Sequence, residues 1–427
     1  MSVTHLEPSK VAAPAPPTSP APGARGWRTW YAVVLLCGAA VLISYIDRTN
    51  ISVAAIPMQA QFGWSETTKG WVLSSFFVGY LAFMAASGAL ANRYGGKIVL
   101  GTAVLWWSVF TMLTPPAALI SLPALVTARI ALGLGEAAVF PASINMIGRW
   151  VPAANRTRAV TLFSSMLSIG TMISLPITGW LVRDAGWPMP FYLFGAFGLV
   201  WAAVWFTTVR SGRSAHVEPE STDRVIPWGQ LLRSSAVWAI IVNHFAGNWT
   251  LYVLLAWLPS YFKTTFNVSL ASAGLLSAAP WAAYFVMGNV SGWVADTLIA
   301  AGKSVTFVRK TVEVFALVGS ATCLLLLQTA TTPAVAMLLM CGAAGTLAFC
   351  LAGFAANPFD IAPRHADVIW GLSNTAGTIP GIAGVYITGW LIDRTGSYNA
   401  PFFLTAAVGI VGAIVYLLYA SGVREIE

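Results

Sequence analysis

Charge is what this sequence lacks most. Of its 427 residues only 9% are Asp, Glu, Lys or Arg, against about a quarter in an ordinary soluble domain, and the mean hydropathy is +0.73. That combination excludes a soluble globular protein. Cysteine is scarce as well: Cys37, Cys323, Cys341 and Cys350 show no metal-ligand spacing, which argues against a disulfide framework and against a zinc site. No nucleophile motif, metal cluster or phosphate-cradling glycine loop occurs, so no enzyme, metal or cofactor is expected. Residues 1–26 are rich in Pro and Ala and lack the apolar core of a signal peptide. With the residues up to 29 they read as a disordered cytoplasmic tail.

Apolar sequence is what the chain has in abundance. Twelve stretches are long enough to cross a hydrocarbon core of about 30 Å. They lie near 31–56, 70–91, 98–119, 122–148, 161–182, 191–209, 237–262, 273–296, 309–330, 333–355, 366–391 and 400–421. The net charge of +8 would suit nucleic acid, but its distribution argues otherwise. With the N-terminus inside, 17 of the 23 Lys and Arg fall in inner segments, four in outer ones, and two, Arg48 and Arg129, within spans. That split obeys the positive-inside rule, so both termini are expected in the cytoplasm and no nucleic-acid partner is expected. The 19 tryptophans fit an interfacial belt or bundle packing.

The two halves of the chain echo each other. Thr178-Gly179-Trp180-Leu181, then Arg183-Asp184-x-Gly186 and Pro190-Phe191, returns, at an offset of 210 residues at its start, as Thr388-Gly389-Trp390-Leu391, then Asp393-Arg394-x-Gly396 and Pro401-Phe402. Gly88-x-x-Ala91-Asn92-Arg93 is likewise echoed by Gly292-x-x-Ala295-Asp296. The expectation is an all-α membrane protein of twelve transmembrane helices in two pseudo-symmetric six-helix halves, with a site between the halves near the midplane. The expected divisions are a half at 30–209, a cytoplasmic linker at 210–236, a half at 237–421 and a tail at 422–427. Gly133-x-Gly135 in span 4 and Gly371, Gly377, Gly381 and Gly384 with Pro380 in span 11 serve either close packing or bending.

Five ionisable residues stand at depth: Asp47 and Arg48 in span 1, Arg129 and Glu136 in span 4, and His244 in span 7. A lone charge at the centre of a membrane helix costs about 2.5–3.5 kcal/mol on insertion scales, so such residues face a protein interior or a water-filled cavity. Arg129 and Glu136 share one face, about 10 Å apart along the axis. Tyr45 shares the face of Arg48, whereas Asp47 points about 100° away. One reading has two acids neutralising two bases as packing pairs. The other has arginine offering its planar fork to an anion, whose arrival cancels the arginine charge and favours protonation of a nearby acid. Anion and proton would then bind cooperatively. His244 serves either as a proton carrier or as a neutral packing residue.

Together these residues carry a family resemblance. It rests on Tyr45-Ile46-Asp47-Arg48-Thr49-Asn50-Ile51-Ser52-Val53-Ala54, Phe76-Phe77-Val78-Gly79-Tyr80, and Arg129 with Gly133-Leu134-Gly135-Glu136-Ala137 and Pro141. In the second half it continues with Asn248-Trp249, Trp257-Leu258-Pro259, Gly292-Trp293-Val294-Ala295-Asp296 and Ser373-Asn374-Thr375-Ala376-Gly377. From Trp30 to Gly422 the chain resembles the anion:cation symporter family of the major facilitator superfamily. Relatives of that kind include bacterial organic-acid transporters, sialin and plant organellar anion transporters. The resemblance implies that Arg48 holds the substrate's acidic group, with Tyr45 and Tyr80 lining the pocket. It implies Asp47 and Glu136 as proton-coupling carboxylates, with Arg129 tied to Glu136, and Asn248, Ser373 and Asn374 as contacts to the rest of the substrate.

The chain departs from the family's pattern at three places. Met84 stands where many bacterial members have Gln, so a heavily hydroxylated sugar acid is less expected than a smaller or less polar anion. Asn92 replaces an acid in the cytoplasmic signature, so the latch between halves is expected to be a neutral hydrogen bond. Leu73 and Gly247 replace a histidine and an arginine of vesicular glutamate transporters, which argues against that activity. The resulting expectation is a monomeric, proton-coupled importer of a small organic anion, carboxylate or sulfonate, in a bacterial inner membrane. An exchanger or potential-driven carrier is the alternative within transport. An anion-binding membrane sensor is the alternative from another class, against which the stretch from Arg210 to Arg233 is too short for an output domain.

Overall fold

A computed structural model of the chain describes residues 24–152, 155–209 and 226–426. Most of the expected tail and of the linker lies outside these residues. The first half comprises α1 (Ala24–Phe62), α2 (Glu66–Tyr94), α3 (Gly96–Ile120), α4 (Leu122–Glu136), α5 (Val139–Trp150), α6 (Arg156–Ala185) and α7 (Pro188–Thr208). The second comprises α8 (Trp228–Arg233), α9 (Ser235–Phe266), α10 (Leu270–Ala300), α11 (Val305–Leu326), α12 (Pro333–Leu347), α13 (Asn357–Ile361), α14 (Ala366–Thr395) and α15 (Asn399–Tyr419). Twelve membrane spans result among the described residues, with no strand among them.

Short polar caps punctuate the apolar runs. Ser65, Ser121, Ser234, Ser269, Ser304 and Thr332 each accept a backbone N–H of the helix they precede, satisfying a donor that lipid could not. Packing repeats between the halves. Helix α1 lies on α6 and α3 on α7, as α9 lies on α14 and α11 on α15.

Two spans are broken. Span 4 is interrupted at Ala137 and Ala138, where the Ser87 hydroxyl of α2 donates to the freed carbonyl of Ala137 at 3.1 Å. Span 10 leaves α12 through a 3-10 turn at Ala348–Leu351. There the Glu313 carboxylate of α11 accepts the Phe354 N–H at 2.8 Å and the Cys350 thiol at 3.3 Å. Glu313 is fully buried, an ionisable group at depth that its place near the start of span 9 conceals in the sequence. Lys69, one of the four basic residues assigned to outer segments because it precedes the expected span near 70–91, is instead buried within α2, on Glu66 at 2.6 Å and Gln59 at 2.8 Å.

The halves meet along two seams, α2 with α14 and α6 with α10. The contact is close at the ends near Ser65 and Ser269. A Cβ on Gly70 would lie 3.2 Å from the Val385 carbonyl, and one on Gly179 2.9 Å from that of Leu270. Toward the opposite ends of α2, α10 and α14, Gly88, Gly292 and Gly371 have open space beside them. Asn92 does make a neutral hydrogen bond, accepting from the Asn145 amide at 3.2 Å, but Asn145 belongs to the same half. In this conformation the contact is a tie within the first half, between α2 and α5.

Candidate anion and proton site

Two glycines set the site. The backbones of α2 and α4 touch where Gly79 faces the Ile130 carbonyl and Gly133 faces the Phe76 carbonyl, an approach that any side chain would block. Gly135 likewise lies against the Trp107 backbone of α3, so the glycine pair of span 4 serves packing on two sides. This closeness carries Phe76 and Tyr80 up to Arg129 and Glu136, and α1 lays Ser44, Tyr45, Asp47 and Arg48 against them.

Arg48 is the centre of the arrangement. Its guanidinium carbon lies 4.6 Å from the ring centroid of Tyr45, 4.8 Å from that of Phe76 and 4.9 Å from that of Tyr80. Such a cage of π faces stabilises a cation that has left water. Nη2 donates to Glu136 Oε2 at 3.1 Å, and the Ser44 hydroxyl donates to the same oxygen at 2.7 Å. Nη1 reaches the Tyr45 hydroxyl at 3.4 Å. All of these groups are buried.

Glu136 is thus bound to Arg48 and not to Arg129, which corrects the pairing that the resemblance implied. The reason is geometric. Helical side chains lean toward the N-terminus, so Arg129 leans away from a residue two turns further on, whereas Arg48 approaches from another helix. Arg129 packs over Phe76 at 5.6 Å, and its Nε and Nη1 make no hydrogen bond. Asp47 points elsewhere, as its position in the helix demands. Its neighbours are Glu136, Arg129 and the α3 residues Trp107 and Thr111, and neither of its oxygens is within hydrogen-bond geometry of a partner. Arg48 and Arg129 both line a cavity of about 10 Å³ closed by Leu73, Phe77, Tyr252 and Leu255, room for about one water molecule.

The candidates from the second half are placed less uniformly. The Asn248 amide donates to the Gly377 carbonyl at 2.8 Å, joining α9 to α14. Ser373 lies 3.1 Å from His244 Nδ1 and donates to the Trp370 carbonyl, and the imidazole packs between Phe354 and Trp370. His244 and Ser373 therefore satisfy each other inside their own half. Asn374 alone of the three reaches across, its amide 3.2 Å from the Met84 sulfur. Ser44, Phe76 and Tyr252 were not anticipated as site residues. Ser44 stands one turn before Arg48 and Phe76 one turn before Tyr80, so face periodicity could have found both. Tyr252 comes near Arg48 only through the packing of the halves.

Comparison with known proteins places the chain. The Major Facilitator Superfamily model matches residues 37–385. "Probable anion transporter 4, chloroplastic" of Oryza sativa subsp. japonica is 39% identical over 411 residues, spanning 93% of this chain and 69% of that protein. From Arabidopsis thaliana, "Sodium-dependent phosphate transport protein 1, chloroplastic" is 38% identical over 93% of this chain and 80% of its own length. The "Ascorbate transporter, chloroplastic" of the same plant is 37% identical over 94% and 76%. Among solved structures, a bacterial homolog of the human lysosomal transporter Spinster, inward-facing and occupied, superposes with a TM-score of 0.76 at 17% identity, over 93% of this chain and 97% of that one. The chain is a member of the Major Facilitator Superfamily, in the family of anion transporters to which the plant proteins belong.

Proposed function

We propose that the protein is a proton-coupled symporter that imports a small organic anion by alternating access, with Arg48 as the anion's partner and Glu136 and Asp47 as the proton sites. The observation that carries this reading is the Arg48–Glu136 pair at 3.1 Å, sealed from water beside an Asp47 with no hydrogen bond. When Glu136 and Asp47 are both ionised, their charges balance those of Arg48 and Arg129. An entering monoanion upsets that balance, and a buried uncompensated charge is costly. Displaced from Arg48 by the substrate's acid, Glu136 restores neutrality by taking a proton onto its carboxylate. Each anion then enters with a proton, and loss of that proton on the far side lets Glu136 reclaim Arg48 and expel the anion.

An organic substrate draws support from the aromatic walls, Phe76, Tyr80 and Tyr252, and from the ascorbate transporter among the relatives. The phosphate relative, named as sodium-dependent, favours a second reading: an inorganic anion driven by sodium. On the positive-inside assignment the open ends of the halves face the cytoplasm, so this conformation is inward-facing. The test is uptake by proteoliposomes under a pH gradient, and separately under a sodium gradient, with ascorbate, phosphate and a panel of carboxylates and sulfonates. Uphill uptake of an organic anion driven by the pH gradient, lost in Arg48→Ala, is the expected result. Uptake driven only by sodium, or undiminished in Arg48→Ala, overturns it.

A further inference from the structure

The duplicated motif that ends α6 and α14 is identical in neither half, and the difference falls on a contact between them. The two seams use corresponding residues. Gly70 of α2 packs on Val385 of α14, and Gly274 of α10 packs on Leu175 of α6. One turn nearer the outer end, Gly389 packs on the Glu66 carbonyl and Gly179 on that of Leu270. Val385 and Gly389 are the residues 210 positions after Leu175 and Gly179, and the same offset sets Asp393 opposite Arg183.

At the first seam Asp393 closes the contact. Its Oδ1 accepts the Glu66 N–H at 2.9 Å and its Oδ2 the Thr67 N–H at 2.7 Å, with the Thr67 hydroxyl on the same oxygen. A carboxylate of one half thereby caps the first turn of a helix in the other, where free N–H groups and the helix dipole favour a negative charge. Ser65, the residue before α2, caps Thr68 from the same half, so the three donors are shared between the halves. At the second seam the matching place above Leu270 and Ala271 belongs to Arg183. Its guanidinium turns to its neighbour Asp184, at 2.6 and 2.9 Å, and a cation beside a helix N-terminus gains nothing from the dipole.

We infer that Asp393 is the latch of the outer gate: it holds α2 against α14 while the opposite ends are parted, and it must release for the site to open outward. The latch is one-sided because the motif reads Asp-Arg after α14's last glycine and Arg-Asp after that of α6. Beside it Lys69 supports the same closure, its ammonium 4.9 Å from the Trp257 ring of the other half. The inference stands whatever anion is carried and whatever ion drives it.

The test uses pulsed electron spin resonance between labels at Ile120→Cys and Thr331→Cys, exposed positions on the outer ends of the two halves, in the full chain with its four native cysteines replaced. Asp393→Ala is expected to raise the share of molecules with separated outer ends by roughly tenfold, and Asp393→Asn, which keeps a neutral acceptor, by less. The double exchange Arg183→Asp with Asp184→Arg places a carboxylate over Leu270 and Ala271. It is expected to lower that share and to reduce kcat for transport with KM unchanged. Unaltered distances in Asp393→Ala overturn the inference. So does a double exchange that separates the outer ends, and this arm stands even if Asp393→Ala fails to fold.

Discussion

Replacing Glu136 by Gln tests the proposed coupling most directly. Gln keeps the shape and an oxygen for the Ser44 hydroxyl now 2.7 Å from Oε2, but it removes the charge that Arg48 meets at 3.1 Å. In the native site an anion must displace that carboxylate, a charge-assisted hydrogen bond worth about 1.5–3 kcal/mol. Without the competitor the anion should bind roughly tenfold to a hundredfold more tightly. The pH dependence should change with it. If binding carries one proton onto Glu136, the native Kd rises up to about tenfold per unit of rising pH, and this slope should vanish in the variant. Leaving Arg48 buried without its partner costs about 3–5 kcal/mol of stability, so the empty variant should melt lower and recover more than the native protein when anion is added. Titration calorimetry from pH 5 to 8 reads affinity and slope together, and proteoliposomes should show counterflow without uphill uptake. An unchanged Kd with an unchanged pH slope refutes the assignment of Glu136.

Two further outcomes follow from the packing. Gly133→Ala puts a methyl group on the Phe76 carbonyl and 2.9 Å from the Tyr80 nitrogen. Prising α2 from α4 should cost about 1–3 kcal/mol and lower the melting temperature and the uptake rate together, and a native melting curve would show that the helices can yield there. Ser373→Ala should leave KM for the anion unaltered while reducing stability by about 1 kcal/mol, because its hydroxyl serves His244 and Trp370. A raised KM would instead put Ser373 in the binding cavity.

The site and the gate share one physical economy. As proposed, both use a carboxylate whose partner is exchanged: Glu136 between Arg48 and a proton, Asp393 between the α2 terminus and water. In the proposed cycle the first exchange is costly because it takes place in the dry interior, and that cost is what would couple ion to substrate. The second occurs at an exposed end, where water replaces the lost hydrogen bonds, and so it can open at each cycle.

Composition and periodicity alone determined that this is a twelve-span helical membrane protein in two related halves, because spans must be about 20 apolar residues long and their period survives without tertiary context. The same one-dimensional logic singled out Asp47, Arg48, Arg129 and Glu136, since charge at depth is expensive and therefore visible. It could also divide Asp47 from Arg48, because direction around one helix follows from spacing. What it could not decide is which acid meets which base. Arg129 and Glu136 lie on one face of one helix, yet Glu136 binds Arg48, because partners across helices are set by how α1 is placed against α4 in the bundle. Only the tertiary structure likewise turned Ser373 toward His244 and buried Glu313 and Lys69. It alone gave Asp393 a helix to cap and left Arg183 without one, since two halves that echo each other in sequence become unequal only where they touch.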